Sequence, residues 1–478
     1  LPKLTVSSHA DAQILVMDAK LQVIHRGVGD ISVDLNHGLY KVKVARGGGT
    51  VEQLLDIDSD VNIFLPVNEF PAIAPIGPML GPDGNKVEAL ATAALTRTAS
   101  GLGHQSVFSD RPDEPGLLIM GHHITEGAIC AHPLAGLRVM PWRGDDRAYS
   151  IAEGDSTISL IGRERWGAIW LPYIPGCYLL EISDGAQTVR QTIPIAPKWQ
   201  TRIFLRRRNW LSARSSSEGD AARHEWIDVS IQMSPPKNSV VYFDHYETIE
   251  VARNALQTTQ PIFVSHNLID NLLWGKYENP IAGITGLHLY LEAAGRSGSA
   301  QEDLAAGREL EVDLKDNPEN VAREVIANLM KLLGESSDLT SDLVALRARA
   351  GLLPRETVTI TKPPMFWVSW KYLCRHAGRE GRIWVDPTLW NTIASSSLWG
   401  PYIVWEPREN SWQELLRRQI SYRSAATADP AAPAMLGSRR RRGGKSSSLK
   451  LQFLDEEDAA ASLGVPFSVT SAAFRERK

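Results

Sequence analysis

Residues 38–65 read GLYKVKVARGGGTVEQLLDIDSDVNIFL, and residues 176–205 read GCYLLEISDGAQTVRQTIPIAPKWQTRIFL. Each stretch opens on Gly-x-Tyr (Gly38-Leu39-Tyr40 and Gly176-Cys177-Tyr178), turns around glycine and closes on Ile-Phe-Leu (Ile63–Leu65 and Ile203–Leu205). A phrase repeated at this length marks a duplicated folding unit. Within the first copy Tyr40, Val42 and Val44 alternate with polar neighbours, and Gly47-Gly48-Gly49 turns the chain. Period-two alternation broken by Gly, Asp, Asn or Ser is the pattern of half-buried antiparallel strands.

Working outward, Ala12 and Ile14–Met17, then Leu21–His25, then Ile31, Val33 and Leu35 supply earlier strands. Residues 1–66 are therefore expected to form one small antiparallel β-sandwich of roughly six or seven strands. Residues 137–206 carry the second sandwich, with early strands at Leu137, Val139, Tyr149, Ile151, Ile158 and Leu160. Between them, 67–136 reads as an irregular insert broken by Pro71, Pro75, Pro78 and Pro82, with a short helix at 87–97 and a buried strand at Leu117–Met120. Residues 207–224, with Arg206–Arg208 leading into a Ser- and Gly-rich stretch, read as a flexible linker.

Beyond the linker the hydrophobic period changes. Glu247–Leu256, Ile262–Leu273, Ile281–Ala293, Met365–His376 and Ser411–Ile420 have helical character. Asn317-Pro318-Glu319 starts another helix with a cap and a first-turn proline, and Gly334 ends it. Residues 225–422 are expected to be mostly α-helical, and 423–478 a disordered tail, basic then acidic. The fold class is α+β multidomain: two small sandwiches followed by a helical domain.

Composition narrows function without naming it. With 43% hydrophobic and 22% charged residues and a net charge of −4, nothing marks the chain as a general binder of nucleic acid or anionic membranes. Cys130, Cys177 and Cys374 lie too far apart for a zinc knuckle or a disulfide framework, which points to a reducing, cytoplasmic setting. No apolar run approaches the length of a membrane span. The chain opens on Leu1 in place of a start methionine, which leaves an exported origin open.

Four patterns carry possible chemistry. His122, His123, Glu126 and His132, with Cys130 nearby, are zinc-ligand types, but their spacing does not fit the helical His-Glu-x-x-His arrangement. Gly444-Lys445-Ser446 ends like a phosphate-binding loop, yet Arg439 stands where that loop needs glycine. Cys374 and His376 are two apart on an expected helix and so diverge. The aromatics Phe366, Trp367, Trp370, Tyr372, Trp384, Trp390, Trp399, Tyr402 and Trp405 are expected mainly in the helical core. No catalytic set and no cofactor site emerge. Candidate contact residues are Trp170, Tyr173, Tyr178 and Trp199 of the Trp-rich second copy. Arg439, Arg440, Arg441 and Arg442 add a local positive field.

The Gly-x-Tyr and Ile-Phe-Leu ends resemble PEGA or carboxypeptidase-regulatory-like domains, at His37-Gly38-Leu39-Tyr40 and Pro175-Gly176-Cys177-Tyr178. That resemblance implies sandwiches that bind or space other things and carry no catalytic residues. Lys276-Tyr277-Glu278-Asn279-Pro280, Gly283, Gly286-Leu287-His288, Asn328-Leu329, Pro363-Pro364-Met365 and Ser369-Trp370 resemble a helical module appended to bacterial caspase-like or trypsin-like peptidases. With no peptidase domain in the chain, the resemblance implies a non-enzymatic adaptor whose protein partner is a separately encoded peptidase-like effector. The competing readings are a metal-dependent hydrolase built on His122, His123, Glu126 and His132, and a spacer in a large secretion or injection assembly.

Overall fold

The computed structural model of the protein describes residues 1–8, 12–46, 49–67, 115–124, 134, 136–143, 149–150, 159–161, 166–183, 188–210, 224–235, 246–257, 266–303, 317–334, 339–378, 382–392, 401–405, 466–468 and 471. The molecule mixes several β-sheets with helices, and its N-terminal half is mostly strand.

The first unit holds β1 (Lys3–Ser7), β2 (Gln13–Met17), β3 (Val23–Val28), β4 (Asp30–Asp34), β5 (Gly38–Arg46), β6 (Gly49–Ile57) and β7 (Val61–Phe64). They form two sheets, in the orders β4-β1-β7 and β3-β2-β5-β6. Alternation decides which side chains turn inward. Leu4 and Val6 from one sheet meet Ile14, Val16, Val42, Val44 and Ile57 from the other in one closed apolar cluster. The pairing is antiparallel except that β7 runs parallel to β1, because the end of the repeated phrase crosses to the opposite sheet.

The second unit begins with β8 (Gly116–Ile124), β9 (Leu137–Pro141), β10 (Tyr149–Ser150), β11 (Ser159–Ile161), β12 (Trp166–Leu171), β13 (Gly176–Ser183), β14 (Thr188–Ile195), β15 (Gln200–Trp210) and β16 (His224–Ser234). Its strands repeat the first unit's arrangement position by position. The order β12-β8-β15 matches β4-β1-β7, and β10-β9-β13-β14 matches β3-β2-β5-β6. Even the parallel pair recurs, between β15 and β8.

The repeated Gly-x-Tyr has a local cause. Positions i and i+2 of a strand share a face, so the tyrosine ring leans over the glycine. A Cβ on Gly176 would stand 3.1 Å from Tyr178 Cε2, and Gly38 also sits under Tyr40, at 4.0 Å. Gly38 adds a φ of +151°, which side-chain-bearing residues rarely adopt.

Two expected boundaries move. Leu117–Met120 is a buried strand, as its composition suggests, but it opens the second copy at Gly116 and does not belong to an irregular insert. Both of its faces are covered, so it lacks the alternation that marks the other strands. The expected linker at 207–224 is replaced at both ends by strand: β15 continues through Arg206–Arg208 to Trp210 and pairs antiparallel with β16. There, Val229, Ile231 and Met233 alternate with Ser230, Gln232 and Ser234, and this period outweighs the Ser- and charge-rich signal beside it.

Helices follow as α1 (Tyr246–Gln257), α2 (His266–Gly275), α3 (Pro280–Asp303), α4 (Pro318–Leu333) and α5 (Thr340–Arg349), then β17 (Val358–Ile360), α6 (Trp367–His376), β18 (Ile383–Val385), α7 (Pro387–Thr392) and β19 (Val404–Trp405). Asn317 caps α4 by accepting from the Glu319 amide at 2.9 Å, and Gly334 ends the helix at φ 80°. The expected short helix at 87–97, the helix at Ser411–Ile420 and the basic stretch of the tail lie outside the described residues.

The helices are fastened to the second unit by polar contacts. Asn279 donates to Gln232 Oε1 at 2.7 Å and accepts from the Met233 amide at 3.1 Å. Ser230 bonds the Glu250 carboxylate, and Trp199 Nε1 donates to the Leu332 carbonyl at 3.0 Å. β19 returns to pair with β14, and next to it the Tyr402 hydroxyl accepts from the Ile231 amide at 3.1 Å.

Candidate functional site

The most chemically suggestive group lies where α3, α5 and α6 meet. His288 Nε2 is 2.9 Å from Ser369 Oγ. Asp342 accepts from the Met365 and Phe366 amides at 2.8 and 3.1 Å and from the Ser369 hydroxyl. All three side chains are fully buried. Pro363-Pro364 keeps the chain extended before α6, and Asp342 takes the amides of Met365 and Phe366, the two residues just ahead of that helix.

These are the residue types of a hydrolytic triad, wired differently. In a triad the imidazole accepts the serine proton and the carboxylate orients the imidazole. Here the carboxylate accepts from the serine. The serine proton being used there, His288 Nε2 donates to Ser369 Oγ, and His288 Nδ1 is left with no hydrogen-bond partner. Burial, and then the nearby Arg349 guanidinium, hold the His288 pKa well below the usual imidazole value, so the ring is neutral. Burial raises the Asp342 pKa to about 6 against the pull of its three donors. Ser369 is thus a link between helices and not an activated nucleophile. Arg349 closes the group by donating to the His288 carbonyl at 2.9 Å and pairing with Glu292.

A second feature faces solvent. The corner between α2 and α3 displays Trp274, 68% exposed, and Tyr277, 46% exposed, with ring centroids 6.4 Å apart. Beneath them lies buried Lys276, whose Nζ is 5.1 Å from the Trp274 ring, 4.4 Å from the Tyr277 ring and 2.6 Å from the Leu273 carbonyl it donates to. The corner is stiff. The Glu278 and Asn279 amides both donate to the Gly275 carbonyl, at 3.0 and 2.8 Å, and the Asn279 side chain is tied into β16.

The residues singled out in the sequence fall elsewhere. His122 and His123 are successive residues of β8, at register positions opposite Arg206 and Arg207 of β15. Glu126, Cys130 and His132 lie outside the described residues, as do Arg439, Arg440, Arg441 and Arg442, and no potential metal-binding cluster occurs among the described residues. Trp170, Tyr173, Tyr178 and Trp199 are all buried, so they are core and not a contact surface. Tyr173 and Tyr178 pack with ring centroids 4.6 Å apart, and Tyr178 donates to the Ile174 carbonyl at 2.9 Å. Tyr173, Tyr178 and Trp199 belong to the core that the second copy shares with the helices, which is why these large aromatics are covered.

Cys374 is buried, and burial pushes its thiol pKa well above the usual value. His376 stacks on Tyr372 at 6.3 Å. The Ser369–His288–Asp342 group left no spacing signal, since its members are 81 and 54 residues apart along the chain. The exposed pair had one available signal: Trp274 and Tyr277 flank a corner that an α2 ending at Gly275 and the Asn279-Pro280 start of α3 define.

No family model matches the chain, and no curated protein matches it. Among solved structures, 49% of the chain overlays 88% of a Bacteroides fragilis protein named for a supposed cell-adhesion role, at 6% identity and a TM-score of 0.15. An overlay of that quality carries no argument about this chain.

Proposed function

We propose that the protein is a non-enzymatic adaptor, built from two duplicated β-sandwiches and a helical part, that holds protein partners. The observation that supports this best is the Trp274–Tyr277 corner. Two large aromatic side chains are kept in solvent on a hydrogen-bonded turn, where water contact with their apolar surface is unfavourable and the backbone that carries them is already ordered. Exposed aromatics of this kind dominate binding energy at protein interfaces. The inverted wiring of Ser369, His288 and Asp342 agrees with a role that needs no nucleophile. The partner that the helical resemblance suggests is a separate peptidase-like effector.

The test is affinity capture with the full-length chain as bait, compared with a Trp274→Ala/Tyr277→Ala variant. Because both side chains project outward, the variant should keep its melting temperature within about 2 °C. The expected result is at least a tenfold loss of the effector-side partner, in line with about 2 kcal/mol for an interface anchor. Equal capture by both baits would remove this basis for the adaptor. Truncation near residue 215 would be a poor test, because β15 and β16 pair across it.

A further inference from the structure

The duplication records what each sheet edge accepts. In the second copy β15 is not an edge strand: β16 pairs with it antiparallel from Gln200↔Ser234 to Trp210↔His224. Its counterpart in the first copy, β7, is the last strand of its sheet among the described residues. The same phrase ends both strands, and the same phenylalanine has opposite fates. Phe204, placed opposite Ser230 of β16, is 2% exposed, whereas Phe64 is 64% exposed.

The backbone agrees with the side chain. The Leu65 amide donates to the Ser7 carbonyl at 2.9 Å, so Leu65 faces β1. Strand residues alternate in the side to which they present N–H and C=O. Asn62 and Phe64 therefore present theirs away from β1, toward the outer edge. An uncovered edge of this kind is a template for a further strand.

We infer that the outer edge of β7 is an acceptor for an extended peptide segment of a partner protein, which pairs antiparallel as β16 pairs with β15. This rests on the adaptor reading and specifies how its N-terminal unit engages a partner. The copy already covered defines the chemistry of the ligand. Opposite Ile203 and Leu205 stand Ile231 and Val229, and opposite Phe204 stands Ser230. The segment should thus carry β-branched or other apolar residues at alternate positions, facing the sheet interior beside Ile63 and Leu65. A small residue between them leaves room for the Phe64 ring. Main-chain pairing supplies affinity and the alternate side chains supply selectivity, as in other strand-addition complexes.

The probe is a fluorescein-labelled synthetic peptide of the β16 sequence, residues 224–234, titrated with the full-length chain and followed by anisotropy. A scrambled peptide of the same composition is the control. Saturable binding of the β16 peptide, at least tenfold tighter than the scrambled one, is expected. Phe64→Asp should weaken it about tenfold or more, by placing a charge where the peptide must pack. Asn62→Pro removes an outward amide while leaving the β1 ladder intact, a substitution that edge strands tolerate, and should also weaken it at least tenfold. Trp274→Ala should not change it, so loss of the aromatic corner and loss of the edge are separable results. Equal binding of the two peptides, or unchanged binding by Asn62→Pro, would overturn the proposal. So would slow hydrogen exchange of the Asn62 and Phe64 amides in the free chain, which would mean that the edge is already paired. A concentration-dependent dimer that Asn62→Pro dissociates would assign the edge to a second copy of this chain instead.

Discussion

Asp342 and His288 meet at the same serine and pull stability in opposite directions with pH. The folded-state pKa of Asp342 is raised to about 6 from 3.8, so folding favours its protonated form. Its contribution is complete below about pH 4 and is lost as the pH rises through about 6. His288 is the converse, a base whose folded pKa lies below 6.5, so its contribution is complete above that value and is lost as the pH falls. Arg349 and Glu292 face the same group but stay paired with each other. An Asp342→Asn variant isolates the first effect. Relative to that variant, wild type should lose on the order of 3 kcal/mol as the pH rises from about 3 to about 7, and nothing further above that. Urea melts of both proteins across that range measure the difference, and a constant gap would show that Asp342 does not titrate where its burial implies. At this scale the sequence is legible only where neighbours in sequence act on each other. Gly38 and Tyr40, or Gly176 and Tyr178, are two residues apart and announce their contact, whereas Ser369 and His288 come together only through three packed helices.

Among the elements, the crossing of α2 on α3 fixes the aromatic corner. A Cβ on Gly286 would lie 2.6 Å from Leu272 Cβ, and one on Gly283 equally close to Lys276 Cβ. The two helices approach this closely because α3 presents small residues one turn apart. In an open helix Gly→Ala stabilises by about 1 kcal/mol. Here the clash is with the base of two neighbouring side chains, and forcing the helices apart costs about 1–3 kcal/mol. Gly286→Ala should therefore be destabilising despite its better helix propensity, and should raise hydrogen exchange at the Glu278 and Asn279 amides as the corner loosens. A rise in melting temperature would show that the crossing has slack. Element identity was readable wherever the pattern had one clear period: Asn317-Pro318 begins α4, and Tyr40, Val42 and Val44 mark β5. At β8 the apolar run Leu117–Met120 was legible as a buried strand, but not its membership of the second copy, because a strand apolar on both faces carries no alternation to align with the first. The pattern misled at β15 and β16, where Arg206–Arg208 looked like the lead into a linker while forming part of the longest strand pairing among the described residues.

At the scale of the whole chain, the duplicated unit has been used in two ways. The second copy gains β11 beside β12, β16 beside β15 and β19 beside β14, and its core is continuous with that of the helices. The first copy has no such additions among the described residues, and its apolar cluster closes on itself: Leu4, Val6, Ile14, Val16, Val42, Val44 and Ile57 pack with one another and not with the larger core. The first copy's core is separate from the one that the second copy shares with the helices, which implies that these two unfold as separate cooperative units, because cooperativity follows shared burial. Ile14→Ala empties part of the first core and Ile203→Ala part of the second, each at about 2–5 kcal/mol. In scanning calorimetry of the full chain, Ile14→Ala should lower one transition and leave the other in place, with Ile203→Ala doing the reverse. If both substitutions shift a single common transition, the copies unfold together, and the first unit cannot respond to a strand on its outer edge independently of the helices. If the transitions separate, peptide bound at β7 should raise the one that Ile14→Ala lowers, which ties the edge and the core it borders to the same unit.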